Sequence, residues 1–147
     1  MIEVRAVTDA TGKVVAPEWL HRAEAVHRQL RPSLPTDYAA RMAVILAGGG
    51  RMFVAASGNE VVGVAVYRVT EDTNNGRKCY VDDLVTDQPK RSTGVGRALM
   101  QALEREARRL GCDVLALDSG THRVAAHKFY FREGMTISSF NFKKTLR

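Results

Sequence analysis

Cysteine is scarce in this chain of 147 residues. Cys79 and Cys112 are the only two, too few for a disulfide scaffold and without the paired spacing of a zinc site. They read as ordinary thiols with no assigned role, and no metal is expected. Aromatic residues make up 7%, with a single tryptophan, and none interleaves with the basic stretch at residues 90–109, as a platform for single-stranded nucleic acid would require. No apolar run approaches the roughly 20 residues that span a bilayer, so no membrane partner is expected. The opening MIEVRAVTDA carries an early acid and no apolar centre, unlike a secretory signal, and a cytoplasmic location is the expectation. Internal repeats, low-complexity tracts and linkers are absent.

What remains is the composition of an ordinary globular chain, 45% hydrophobic and 26% charged. Its length suits one domain over residues 1–147, able to bury about two-thirds of the unfolded surface. Twenty-two basic residues against 16 acidic ones give a net charge of +6 and a pI near 9.7. That balance favours polyanionic company, either nucleic acid or a phosphate-rich cofactor. Charge alone supports nucleic acid, whereas a second feature supports the cofactor.

That feature is the stretch VTDQPKRSTGVGRALMQALEREARRL, residues 85–110. An apolar β-branched run ends at Thr86, a basic connector leads to Gly94-Val95-Gly96, and an amphipathic helix follows. Val95, Ala98, Leu99, Ala102, Leu103, Ala107 and Leu110 share one helical face. The first amides of a helix lack internal partners and carry the positive end of its dipole. Glycines let a phosphate approach that backbone, and Lys90, Arg91 and Arg97 add formal charge. The pattern is neither a dinucleotide fingerprint nor a P-loop, and the glycines serve equally well to start a helix close against a sheet. Arg105, Arg108 and Arg109 read as a solvated face mixed with Glu104 and Glu106.

Taken in order, Ile2, Val4 and Ala6 alternate with charged residues as a first strand. Residues 17–30 carry Trp19, Leu20, Ala23, Val26, His27 and Leu30 at helical spacing, with Pro17 suited to the first turn. A second helix is expected from Thr36 or Asp37 to the Gly48-Gly49-Gly50 stop. Residues 52–56 and 61–69 form a hairpin through Ser57-Gly58-Asn59. The Asn74-Asn75-Gly76 turn then returns residues 77–86 antiparallel. Gly111 ends the long helix, and residues 113–117 form a strand expected parallel to the one before the helix. A helix over 123–132 and a last strand over 135–143 complete the prediction.

This order of elements resembles that of the GCN5-related N-acetyltransferases. Arg91-x-x-Gly94-x-Gly96 is similar to the family's acetyl-CoA signature, Arg/Gln-x-x-Gly-x-Gly/Ala. Ala125-Ala126-His127-Lys128-Phe129-Tyr130-Phe131-Arg132-Glu133-Gly134-Met135 resembles its second signature, and Leu117-Asp118-Ser119-Gly120 and Ile137-Ser138-Ser139 resemble small bacterial members. The resemblance covers nearly the whole chain. It implies an α/β (mixed α+β) fold: a central mixed, mostly antiparallel β-sheet flanked by helices, with a splayed strand pair forming the acetyl-CoA cleft. It implies acetyl transfer from acetyl-CoA to an amine of a small molecule or a protein, by direct attack in a ternary complex. A homodimer is a further possibility, and a CoA-binding or sensor module with little catalysis is the alternative function.

Residue by residue, the resemblance places the pantetheine arm on the backbone of Leu84, Val85 and Thr86. The pyrophosphate falls on the turn that follows Arg91, namely Ser92, Thr93, Gly94, Val95, Gly96 and Arg97. Tyr130 matches the tyrosine that protonates the departing sulfur, a reasonable task for a phenol with pKa near 10; a core aromatic beside Phe129 is the other reading. An amine of pKa near 10 also needs a base. Asp118, Asp82 and Asp83 are the candidates, with Asp82 and Asp83 expected on opposite faces of their strand. Asp118 suits a cap on the following loop through Gly120 or Thr121 rather better than a catalytic role. Two departures stand out. Tyr80 occupies the place of a glutamate found in some relatives, and Arg123 that of an asparagine, where it shares a helical face with His127 and Tyr130 and is a candidate contact for the cofactor phosphates.

Overall fold

A computed structural model describes residues 1–147. The chain forms two compact units, residues 1–116 and 117–147. In the first, β1 (Glu3–Ala6) precedes α1 (Pro17–Leu30) and α2 (Tyr38–Ala47). Strands β2 (Arg51–Ser57), β3 (Glu60–Asp72) and β4 (Gly76–Thr86) follow, then a 3-10 turn at Gln88–Lys90 and α3 (Val95–Arg109). β5 (Val114–Leu117) ends this unit and leads into the second, which holds α4 (Val124–Arg132). No helix is long and apolar enough to cross a membrane.

Local signals account for most boundaries. Pro17 opens α1, since its missing N–H falls among the donors that have no helical partner. Asp37 caps α2 by accepting from the Ala40 amide at 3.0 Å. At their shared end β3 runs three residues further, and β4 starts one residue earlier, than the apolar residues foretell. The ladder continues through Glu71↔Arg77 to Asp72↔Gly76, held by ion pairs from Arg77 to Glu71 and from Lys78 to Asp72.

The sheet order is β1-β2-β3-β4-β5, and β1 to β4 pair antiparallel in sequence. Val64 and Val66 of β3 join Met52, Val54 and Val85 in one apolar cluster with Trp19, Ala23 and Val26 of α1 and Tyr38, Met42 and Leu46 of α2. The other face receives α3. Its Val95, Leu99, Met100, Ala102, Leu103 and Ala107 are buried, and full burial of Leu99 or Leu103 is worth about 1.5–3 kcal/mol each. The opposite face of α3 is solvated, with Arg108 paired to Glu104 at 2.8 Å and Arg109 to Glu106 at 2.7 Å.

Gly63 sets how closely α3 lies on β3. A Cβ there would stand 2.7 Å from Val95 Cγ1 and 2.9 Å from Leu99 Cδ1. Gly63→Ala is therefore expected to destabilise the fold by about 1 kcal/mol, read from the urea midpoint, because both methyls belong to packed side chains.

Two expectations fail. Residues 135–143 form no strand; beyond Met135, whose amide bonds to the Tyr130 carbonyl, no backbone hydrogen bond is made. The alternation was real, but a strand exists only through a neighbour, and a period of two cannot supply one. Asp82 and Asp83 also depart from simple alternation. Val66 pairs with Asp83 and Tyr67 with Val81, so Asp82 is the extra residue of a β-bulge. The bulge turns both carboxylates to the side of α1 and α2.

Candidate active site

β4 leaves the sheet at Thr86, where the Asp87 amide donates to the Val62 carbonyl at 2.8 Å. The 3-10 turn follows, and then the chain takes two left-handed residues, Ser92 at φ 63° and Gly94 at φ 93°. Gly94 is the N-cap of α3 and pays no Cβ penalty there, whereas Ser92 holds a conformation L-residues rarely adopt. No side chain caps the helix. The Ala98 amide makes the first helical bond, to the Gly94 carbonyl at 3.0 Å, and no amide of residues 92–97 donates to a backbone carbonyl. Residues 90–94 and Arg97 are exposed, and none of Lys90, Arg91 and Arg97 forms an ion pair. Unpaired amides, the positive end of a 15-residue helix and three uncompensated cations thus meet at one open turn. That donor set fits a diphosphate.

Leu84, Val85 and Thr86 pair with Ala65, Val64 and Gly63 of β3. Since the Asp87 amide points to β3, alternation directs Val85 the same way and turns the N–H and C=O of Leu84 and Thr86 outward. β5 has four residues against the eleven of β4, and the Asp113 amide bonds the Arg77 carbonyl at the start of β4. At about 3.3 Å per residue β5 does not reach level with Leu84 and Thr86. The outward groups of these two residues are therefore left by strand pairing for an extended ligand.

Beside this strand end lies a polar network that the sequence did not reveal. His27, 1% exposed, sits on the otherwise apolar face of α1. Its Nε2 donates to Asp83 Oδ2 at 2.7 Å, and its Nδ1 is hydrogen-bonded to the Tyr38 hydroxyl of α2 at 2.7 Å. Arg31 Nε donates to Asp83 Oδ1 at 2.8 Å, and Arg31 also reaches the Asp82 carbonyl. Asp82 Oδ2 accepts from Arg68 Nε at 2.8 Å. Burial raises the Asp83 carboxyl, but the bonds and charges of His27 and Arg31 outweigh it and hold the group below the usual carboxylate range. Burial raises the Tyr38 phenol, aided by Glu24 and Asp83. Alongside, Gln29 donates to Asp87 and accepts from the Gln88 amide, tying α1 to the connector before the turn. A polar residue on an apolar helical stripe was the one available signal, because a buried imidazole needs partners.

In residues 117–147, Tyr130 on α4 is half-buried and packs edge-on to Phe129, with ring centroids 5.4 Å apart. Its hydroxyl makes no hydrogen bond within the chain. Burial raises its phenol above the ordinary value, and Arg123 pulls the other way. Arg123 is the half-buried N-cap of α4. His127 Nε2 donates to the Gly120 carbonyl at 2.8 Å. Asp118 is exposed and accepts from Asn141 Nδ2 at 2.8 Å, rather than capping its own loop. In the first unit Tyr80 lies under the Lys78 ammonium, 5.4 Å from its ring centroid.

The chain resembles known proteins in sequence and in fold. The sequence profile of the Acetyltransferase (GNAT) family matches residues 16–135. The N-acetyltransferase YhdJ of Bacillus subtilis (strain 168), described as uncharacterized, is 39% identical over 72 residues, 48% of this chain and 51% of that protein. An aminoalkylphosphonate N-acetyltransferase of Salmonella typhimurium is 38% identical over 66 residues, 45% of this chain and 43% of that one. The chain thus spans about half the length of the curated relatives it matches. Among solved structures, the aminoglycoside N-acetyltransferase AAC(6')-Iy in complex with CoA superposes with a TM-score of 0.84 at 20% identity, covering 100% of this chain and 95% of that one.

Proposed function

Because this chain belongs to the acetyltransferase (GNAT) family, we propose that it transfers an acetyl group from acetyl-CoA to an amine. The observation that carries this reading is the turn at residues 92–97, open to solvent at residues 92–94 and Arg97, where unpaired amides and uncompensated cations offer a diphosphate site. In this reading the amides of Ser92, Thr93, Gly94, Val95, Gly96 and Arg97 bind the pyrophosphate, with Arg91, Arg97 and Arg123 adding charge. Leu84 and Thr86 offer their outward N–H and C=O groups to the amides of the pantetheine arm, and Val85 holds them in register. Bound there, acetyl-CoA supplies an activated acyl carbonyl.

The amine nitrogen attacks that carbonyl directly in a ternary complex; the C–N bond forms and the C–S bond breaks. Tyr130 donates a proton to the leaving sulfur, and its raised pKa keeps the phenol protonated at neutral pH. An amine that arrives as an ammonium gives up two protons: one passes through water to a carboxylate and on to solvent before attack, and the other, released as the C–N bond forms, restores the Tyr130 phenol. Held below the usual carboxylate range, Asp83 is ionised at neutral pH, so it attracts the ammonium and relays the first proton through water; Asp82 and Asp118 are the other carboxylates available. The acceptor is a small-molecule or protein amine. Relatives that act on aminoglycosides and aminoalkylphosphonates make these the first amines to try.

Thiol release from acetyl-CoA across a panel of polyamino sugars, aminoalkylphosphonates and lysine peptides tests the proposal. Release that requires both acetyl-CoA and amine is expected; none with any amine contradicts it. A second reading, a CoA-binding sensor, is favoured by the ion pairs that occupy Asp82 and Asp83. Tight CoA binding without turnover in the same assay selects it.

A further inference from the structure

We infer that Arg31 selects the acceptor: its guanidinium yields Asp83 to the acceptor's ammonium and takes up an anionic group, a carboxylate or phosphonate, on the same acceptor molecule. The inference rests on the acetyl-transfer reading and narrows its amine to a zwitterion rather than a polycation.

Asp83 has one fixed partner and one exchangeable partner. Its Oδ2 accepts at 2.7 Å from Nε2 of the buried His27, whose other ring nitrogen is tied to the Tyr38 hydroxyl. Its Oδ1 is held by Arg31, through Nε at 2.8 Å and Nη2 at 2.7 Å. The Arg31 side chain is 51% exposed, and an ion pair open to water on one side is weakly held. The backbone that carries it is fixed. Arg28 donates to the Leu34 and Pro35 carbonyls at 2.7 Å each and clasps the loop that follows α1. Arg31 Nη2 also donates to the Asp82 carbonyl at 3.1 Å, an anchor that keeps the guanidinium close by when it leaves Oδ1.

Charge decides what can enter. The two carboxylates of β4 already have cations, Asp82 in Arg68 and Asp83 in Arg31, and Glu24 on α1 pairs with Arg28. A polycation finds neither β4 carboxylate free, and displacing Arg31 would set like charges side by side. A zwitterion exchanges one ion pair for two. Its ammonium meets Asp83, its anion meets Arg31, and every charge stays compensated. Arginine suits that anion, because its planar fork of donors matches carboxylate and phosphonate oxygens.

The test is kcat and KM at saturating acetyl-CoA for short amines of similar reach. β-Alanine and 2-aminoethylphosphonate carry an anion; ethanolamine and 1,3-diaminopropane do not. Wild-type kcat/KM should be about 10- to 100-fold higher for the first two, the worth of hydrogen bonds to charged groups, and the ratio between them tells carboxylate from phosphonate. Arg31→Gln, which removes the charge and keeps an amide donor, should abolish that preference through KM, with kcat near wild type. Arg31→Lys should restore part of it. CoA affinity unchanged in both variants shows that they are folded. A wild-type preference for ethanolamine or 1,3-diaminopropane overturns the inference and leaves acetyl transfer standing. So does a preference for the anionic amines that survives Arg31→Gln, or thiol release with polyamino sugars and none of these short amines. Release with no amine at all removes acetyl transfer and this inference together.

Discussion

Tyr130→Phe is expected to lower kcat by about 10²- to 10⁴-fold, the usual worth of a positioned general acid, while the dissociation constant for acetyl-CoA changes little. The substitution removes one oxygen and keeps the ring against Phe129. That hydroxyl has no partner in the chain, so its loss leaves no polar group stranded and stability should be preserved. The pH profile offers a second check. Because burial raises the phenol, it stays protonated through the neutral range, and the wild-type rate should not fall on this account until pH exceeds the ordinary phenol range near 10. A large loss of acetyl-CoA affinity with kcat intact would remove Tyr130 from the acid role.

Asp83→Ala should destabilise the fold by about 3 kcal/mol. Removing one partner from a buried pair costs about 3–5 kcal/mol, and the lower end applies because Arg31 is half-exposed and can hydrate. His27 cannot: at 1% exposure it is left with an unanswered donor between two helices and the sheet. The effect has a pH signature. The folded-state pKa of Asp83 lies below its unfolded value of about 3.9, so its stabilisation is present above that value and disappears as pH falls through the folded one. The gap between wild type and Asp83→Ala, measured by urea unfolding, should be full at neutral pH and shrink below about pH 4. A gap unchanged down to pH 2 would contradict the ion-paired geometry.

The legible parts of this chain are those that local chemistry determines. Pro17, Asp37, Gly94 and Gly111 mark helix ends through their own backbone preferences, and the 3.6-residue spacing of Val95, Leu99, Ala102 and Leu103 fixes which side of α3 meets the sheet. The phosphate-type turn was legible for the same reason. Its amides are unpaired because a helix begins there, whatever else the fold does. The His27–Asp83 contact joins residues 56 apart, and no periodicity links them. The bulge at Asp82 depends on how β4 lies against β3, so an alternation read from one strand misplaced that side chain. Residues 135–143 show the reverse error, a sound strand pattern with no neighbour in its own chain. Pairing is the information a single sequence withholds.

The most direct test of the account is an amide NMR titration of the full chain with CoA, because its central claim is that backbone N–H groups after Arg91 hold a diphosphate. The amides of residues 92–97 should shift and saturate together, with Leu84 and Thr86 following, and adding salt should weaken binding as the arginine charges are screened. Saturating CoA that moves amides elsewhere while residues 92–97 stay in place would contradict it.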